Sequence, residues 1–462
     1  MDLLRNCGLA VLAFVAQVPA TQAPLFSPEE RAAILEYWAR PGLYEAVPAG
    51  DKKGTGRWVA RYTSAGSTWI RELYRLRSDG KVVPTRQPEA LTEQQKLWDA
   101  WVEARVQLDK WLAEQESAKR NAQEADAEAP EPTAPMPPDP GQVPEDLAAA
   151  LPLPPVFYEP AVPFSHKIAF PDAELSYEDH VTVPHKYAYF RFEKGVRSGG
   201  TKVADRGSEY VRQLFEQAAI SEDQQRVFAS VSLLEGGFDS VNTYDTGFVS
   251  VGFIQFASLT AGGGSLGQVL LRMKRDHGFR FYADFRRFGV DVTEQGLLVV
   301  VDPVTGMELV GPDANHRVIY DKRLIAVFQR AGQVSDAFNV CQLQVARDLY
   351  YPAEDDVTVE FGGKKLTCKV KDIFRSEAGM ATLMDRKVNT GKLEPLEDYL
   401  YDLVSQTGIT DLKEAAKYEW ALARVMAYRV DYLASASLSQ PVRLDMALSR
   451  GNSPRDRRGG GG

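Results

Sequence analysis

The sequence predicts an α+β protein: a mainly helical domain with a small β-lobe, preceded by a small N-terminal α+β module on a proline-rich linker. Three observations predict this. Apolar residues fall at helical spacing over residues 92–123, 221–235 and most of the C-terminal half. Residues 238–257 instead alternate polar and apolar side chains around the turn-formers Asn242, Asp245 and Gly247. Twelve prolines lie between Pro130 and Pro163, among alanines and acids, and divide the chain in two.

The chain has 462 residues, enough for two or three domains at about 150 residues each. Hydrophobic residues make up 44% and charged residues 25%, which suits a globular protein able to bury real cores. The formal net charge is −9, which argues against nonspecific nucleic-acid binding, because phosphate neutralisation needs a basic face. Three cysteines cannot build a disulfide scaffold or a four-thiolate zinc site.

Residues 1–25 read as a secretory signal. One arginine precedes an apolar core over residues 7–16, and Thr21-Gln22-Ala23 offers small residues at a cleavage site. The apolar run falls short of the ~20 residues that span a bilayer as a helix, so no transmembrane segment is expected. Removal of the signal leaves Cys341 and Cys368, either paired in an oxidising compartment or two isolated buried thiols.

Residues 26–120 form the expected N-terminal module. Ser27, Pro28, Glu29 and Glu30 make a strong helix start, and the helix should run to Trp38. Residues 57–77 are rich in β-formers around Ser64-Ala-Gly and predict a hairpin. A capping-box pair, Thr92 and Gln95, opens a long helix, with Leu97, Trp101, Ala104, Leu108 and Trp111 as its apolar stripe. Six of the seven tryptophans fall in this module, either as a sugar-stacking surface or as bulk for a thin core. Residues 121–163 are the expected linker, a semi-rigid tether.

The main domain is expected over residues 164–448, followed by a disordered, basic, glycine-rich tail over 449–462. It opens with β-like segments and turns helical at Ser208. Downstream, helices are predicted over 265–277, 317–330, 335–351, 374–389, 393–405 and 412–432, with a short helix near 281–288 and a hairpin around 302–306. Asp385, Arg386 and Asn389 make a polar stripe read as a solvated helix face or a substrate contact.

The constellation that carries chemistry begins at Ser221-Glu-Asp-Gln, a helix start with acids in its first turn. Val227, Phe228, Val231 and Leu234 share one face, and the stripe ends at Glu235, where Gly236-Gly237 terminates the helix. Apolar surroundings and the negative end of the helix dipole both disfavour ionisation of that carboxyl. A carboxyl protonated near neutral pH is what a general acid needs. Helix ending in glutamate, small β-lobe, next helix: this layout makes a cleft with the acid on its lip.

Glu235 followed by Ser250-Val-Gly252-Phe253-Ile254-Gln255 resembles the lysozyme-like superfamily, in which lytic transglycosylases and goose-type lysozymes carry a helix-end glutamate and then a Gly-Leu-Met-Gln-type motif. The resemblance covers residues 221–274. It departs from the transglycosylase pattern in having Gly236 directly after the glutamate where a serine stands, and in the Val-Asn-Thr-Tyr-Asp stretch. It implies that Glu235 is the acid protonating the glycosidic oxygen. Residues 252–255 would line the cleft floor, with Gln255 bonding sugar or bracing Glu235, and Ser250 as a polar contact.

For a second carboxylate the choices are Asp239 and Asp245. A retaining enzyme needs its partner ~5 Å away and an inverting one ~6.5–9.5 Å. Asp245, on the β-lobe, fits the inverting role, or else closes an Asx turn at Thr246-Gly247; Asp239 is the alternative, or a substrate contact. If neither faces Glu235, a single-acid chemistry remains, in which the sugar's own 6-hydroxyl attacks. Tyr244 and Phe253 either stack on sugar faces or belong to the core.

The five histidines show no metal-ligand spacing, and no Gly-x-Ser-x-Gly elbow or P-loop occurs. The expectation is a secreted, periplasmic or cell-envelope glycosidase acting on peptidoglycan or a related amino-sugar polymer. It would use no metal or other cofactor and bind no nucleic acid, with a protein partner open for the N-terminal module. The alternatives are a non-catalytic binding scaffold with the same fold and a chitosanase-like hydrolase.

Overall fold

The computed structural model describes residues 23–50, 56–77, 91–233, 236–444, 446 and 448. Residues 1–22 of the expected signal (1–25), with its apolar core, and the expected disordered tail (449–462) lie outside the described residues. The protein is α+β, with helices around five small sheets of two to four strands among the described residues. No helix among them is long and apolar enough to cross a membrane.

Ser27 and Glu30 close a reciprocal capping box on the helix Pro28–Trp38. This helix belongs to the main body and not to a separate N-terminal module. Its Ile34 and Trp38 are buried in the principal core, and the Trp38 indole donates to Phe288 O at 3.1 Å. The strand Tyr44–Pro48 then pairs antiparallel with Phe164–Ala169, which pairs with Glu174–Glu178. The boundary expected near residue 120 is therefore crossed by a sheet.

Arg286 fastens the same helix, donating Nε to Glu30 Oε1 and Nη2 to Glu30 Oε2, both at 2.8 Å. These bonds hold the Glu30 carboxyl below the usual carboxylate range. A carboxyl lowered on folding contributes stability that is complete above its unfolded value and is lost as pH falls through the folded one. Protection factors for the Pro28–Trp38 amides should therefore drop on acidification below about pH 4. Glu30→Gln should show low protection already at neutral pH and a flatter acid response. Identical profiles for the two proteins would remove this pair as the anchor.

The hairpin expected over residues 57–77 is only half present. Val59–Tyr62 is a strand, but it pairs with Tyr158–Ala161, and Ser64–Arg77 is a helix. Trp69, Ile70 and Leu73 are its buried large apolar residues, at helical and not alternating spacing. The long helix Glu93–Glu124 forms with its Thr92–Gln95 capping box as expected. Its buried face, however, is Trp101, Val102, Val106, Asp109 and Ala113, while Leu97 is exposed.

The proline-rich segment is not a tether. Leu147 and Phe157 within it are completely buried. Four indoles anchor it: Trp69 donates to Pro152 O, Trp98 to Asp146 Oδ2, Trp101 to Gly141 O and Trp111 to Ala134 O, at 2.8–3.4 Å. Indole is a donor only, and the segment offers it acceptors in the carbonyls of Ala134, Gly141 and Pro152 and the carboxylate of Asp146. The tryptophans thus bind the chain's own proline-rich segment and build a second core that also includes Phe190 and Tyr244.

The principal core surrounds the helix Lys322–Val334, buried from Lys322 to Gly332. The helix expected over 317–330 is two helices, Pro312–Tyr320 and Lys322–Val334, divided at Asp321, which is extended and caps the second. The helix expected over 412–432 is a 3₁₀ stretch, Leu412–Tyr418, then Glu419–Met426 and a second 3₁₀ turn. The β-like opening expected over 180–196 holds no strand, only an isolated bridge between Phe190 and Asp245. Cys341 and Cys368 are free and buried, and burial pushes their thiols up to about 12 and about 11.

Candidate functional site

The helix Glu222–Ser232 starts as its sequence dictates, with Ser221 and Gln224 closing a capping box and Val227, Phe228 and Val231 buried. Leu234 and Glu235 lie outside the described residues, so the expected acid is approached through the residues that frame it. Gly236 N donates to Ser232 O at 3.2 Å, and Gly237 N to Gly199 O at 3.0 Å. Only glycine fits at 237, where a Cβ would lie 1.8 Å from Thr201 O.

The Gly252-Phe-Ile-Gln255 motif closes onto this frame. Gly252 N donates to Ser240 O, and the Ser240 hydroxyl donates back to Gly252 O at 2.7 Å. Gln255 donates Nε2 to Ser240 Oγ at 2.6 Å and to Gly252 O at 3.0 Å. A Cβ on Gly236 would stand 2.9 Å from the same Ser240 Oγ. The residue after Glu235, Ser240 and the glutamine of the motif are therefore brought together. Gln255 is thus bonded to Ser240 and Gly252; the brace to Glu235 expected of it falls on a residue outside the described ones.

The motif does not line a cleft floor along its length. Phe253 and Ile254 are buried in the principal core. Gln342, from the helix Asp336–Tyr350, faces Phe253 N with Oε1 at 3.3 Å and donates Nε2 to Phe238 O at 3.0 Å. It ties the segments before and after the lobe together from a completely buried position. Sequence reasoning missed Gln342 and Ser240. The available signal was a pair of amides three residues apart, Asn339 and Gln342, among the apolar residues of that helix (Phe338, Cys341, Val345).

Gly332 presses on the same segment from the central helix: a Cβ there would meet Phe238 O at 2.3 Å and Asp239 Cα at 2.5 Å. Glycine to alanine inside a helix ordinarily stabilises by up to about 1 kcal/mol. Here Gly332→Ala should instead cost about 1–3 kcal/mol, because backbone must move to admit the methyl. Urea unfolding reads the sign directly, and a stabilised variant would show that the two segments are not packed this closely.

Asp239 is a buried ion-pair residue whose Oδ2 has no hydrogen-bond partner among the described residues. It is 1% exposed, and its Oδ1 accepts from Thr201 N at 2.9 Å and Arg206 Nη2 at 2.6 Å. Asp245 takes the turn-closing role: Oδ1 accepts from Gly247 N and Oδ2 from Asn242 Nδ2, both at 2.9 Å. Burial pushes its carboxyl above the usual range, against the opposing pull of these bonds. Tyr244 is not a sugar platform but a core residue, packed on Tyr187 and Phe190 at centroid distances of 5.9 and 6.3 Å. Ser250 is buried on the central strand of the lobe, paired with Asn242 and Ala257.

The lobe is a four-stranded sheet in the order Arg197–Ser198, Val241–Asn242, Ser250–Val251, Phe256–Ala257. Two cross-strand rows divide it. Ser198, Val241, Val251 and Phe256 form one row, and Arg197, Asn242, Ser250 and Ala257 the other. A cavity of about 450 Å³ opens at the N-terminal end of the helix Glu222–Ser232, beside Asp223, Arg226, Phe374 and Glu377. No cluster of three or more metal-ligating side chains occurs among the described residues. Comparison with protein families, curated proteins and solved structures finds no match to this chain.

Proposed function

We propose that the protein is a lysozyme-like cell-envelope glycosidase that cleaves the β-1,4 links of peptidoglycan with Glu235 as general acid. The observation that carries this reading is the meeting of Gly236, Ser240, Gly252 and Gln255, which gathers the helix-end frame of Glu235 and the Gly-x-x-Gln motif from opposite sides of the lobe. A glutamine committed to a serine hydroxyl beside Gly236 fixes the turn that follows the proposed acid in the chain, which supports a positioned group for proton transfer to a leaving oxygen.

The single-acid route is the better supported one. Asp239 is committed to Arg206 and Thr201, and Asp245 to Gly247 and Asn242. In that route Glu235 gives its proton to the glycosidic oxygen while the 6-hydroxyl of the same sugar attacks the anomeric carbon. The hydroxyl's proton returns to the carboxylate, leaving a 1,6-anhydro end and a free 4-hydroxyl, with no water consumed. Incubation with purified peptidoglycan and mass spectrometry of the released fragments tests this: anhydro ends support it, and reducing ends would assign hydrolysis with a second carboxylate. A second reading, a non-catalytic scaffold, is favoured by the burial of Phe253 and Ile254, since the motif then serves packing. No release from folded protein would leave that reading in front.

A further inference from the structure

Independently of the glycosidase reading, we infer that two adjoining cavities at the start of the helix Glu377–Thr390 form a binding site for a medium-chain carboxylate. Its head would lie against Arg375 and its hydrocarbon chain along Val442 and Leu444. Three observations carry this.

The first is the space. The cavity of about 450 Å³ beside Asp223 and Arg226 adjoins a second of about 550 Å³, lined by Ala416, Lys417 and residues of the segment 439–444. Arg375, Ser376 and Ser439 line both, so one molecule can occupy the two together. Each falls within the about 300–1,000 Å³ common for small-molecule sites. The walls are tied to one another. Glu377 Oε1 accepts from Arg226 Nε at 2.5 Å and Oε2 from Ser439 N at 2.7 Å, while Glu377 N and Ala378 N donate to Ser439 Oγ and O. The helix start is thereby capped, and its N–H groups are not what a ligand would meet. A preformed site spares the ordering that weakens binding.

The second is an uncompensated cation where the cavities meet. Arg226 is paired with Asp223 and Glu377, Lys371 with Glu354, and Lys417 with Glu414. The buried carboxylates in the walls are engaged too: Glu377 as above, and Glu419 Oε1 with Ser376 N and Oγ at 2.9 and 2.6 Å. Arg375 has no carboxylate partner among the described residues. It is exposed, and its Nε and Nη2 reach only Asp372 O, at 3.3 and 3.2 Å. The Tyr351 hydroxyl, on the first cavity, is a further donor without a partner among the described residues. Burial pushes it up to about 12, so it keeps its proton, and its ring is stacked on Phe228 at 5.8 Å. A planar guanidinium beside a hydroxyl suits the two oxygens of a carboxylate.

The third is an aliphatic strip beyond that cation. Ala416, Pro441, Val442 and Leu444 line the second cavity, with Val442 78% and Leu444 42% exposed. A hydrocarbon chain lying here shields them from water, and each methylene fully buried favours binding by up to ~4-fold. A free cation at one end and aliphatic side chains at the other select an amphiphile over a simple anion.

The test is calorimetric binding of decanoate, 1-decanol and inorganic phosphate by the full-length protein, in wild type, Arg375→Met and Val442→Asp. Both side chains are exposed, so the fold should persist, and circular dichroism checks it. The expected result is that wild type prefers decanoate to decanol by ~10-fold and that Arg375→Met abolishes this preference without weakening decanol. Val442→Asp should weaken both ligands by ~10-fold, because it places a charge against the chain. Equal decanoate binding by wild type and Arg375→Met overturns the site, and so does phosphate binding as tightly as decanoate, which would leave an anion contact only. No decanoate binding by wild type also overturns it, and is the result expected if another part of this chain or a second copy fills the cavities. None of these outcomes bears on fragment release from peptidoglycan, which tests the glycosidase reading separately.

Discussion

Glu235→Gln is expected to lower release of fragments from purified peptidoglycan by ~10²–10⁴-fold, the usual share of a positioned general acid. The substitution keeps the shape of the side chain and removes its transferable proton. Asp245→Asn separates the two chemistries. Under the single-acid route it should reduce release less than tenfold, as a disturbance of the turn that Asp245 closes with Gly247 N. A loss as large as that of Glu235→Gln would mean that Asp245 works on water or on the sugar. Fragment release by mass spectrometry, with folding checked by circular dichroism, reads all three proteins on one scale.

The largest stability effect is expected from Arg429→Leu. Asp385 is completely buried on the helix Glu377–Thr390. Its Oδ1 accepts from Arg429 Nη2 at 2.6 Å and Nε at 3.0 Å, and from Asn389 Nδ2 at 3.2 Å, while Oδ2 faces Arg429 N at 3.3 Å. Arg386, next along the helix, donates to Met426 O and Glu394 O. The stripe read from sequence as a solvated face or substrate contact is therefore the bolt that holds the segment after Met426 to the helix. Removing the guanidinium leaves a carboxylate buried without its cation, which costs about 3–5 kcal/mol. That is a large part of the about 5–15 kcal/mol typical of a folded protein. The double variant Asp385→Leu/Arg429→Met should recover most of the loss, since no charge is then stranded. Urea midpoints for the single and double variants decide it: additive losses would show that the two side chains do not work as a pair.

How much of this was legible beforehand follows from the range of the interactions concerned. Ser27 with Glu30, Thr92 with Gln95 and Ser221 with Gln224 cap their helices within four residues, and all three starts stand where the sequence puts them. The turn around Asp302 is equally local, with Val304 N and Thr305 N on Asp302 Oδ1, and the hairpin Leu298–Val301 with Glu308–Val310 follows. Residues 57–77 went the other way because β-formers at Trp69, Ile70 and Leu73 also fit a helical period, and burial against Phe157 selected the helix.

The candidate site divides along the same line. The helix start at Ser221, the glycine break at 236–237 and the glutamine of Gly252–Gln255 are readable as a pattern. The side of Asp239 on which Arg206 waits, the burial of Tyr244 under Phe190, and Gln342 reaching Phe238 and Phe253 are set by segments 33 to 104 residues away. No spacing rule reaches that far.

By itself, then, the sequence determined the α+β class, the positions of most helices and the small lobe after residue 236. These rest on periodicity, caps and turn residues, whose partners lie within one or two turns of chain. Tertiary structure decided that residues 26–48 join the main core, and that tryptophan indoles hold the proline-rich segment against its helix. It also turned two candidate carboxylates into structural groups. Each of those outcomes depends on which distant surface supplies a hydrogen-bond partner or excludes water, and burial of that kind exists only once the whole chain has folded.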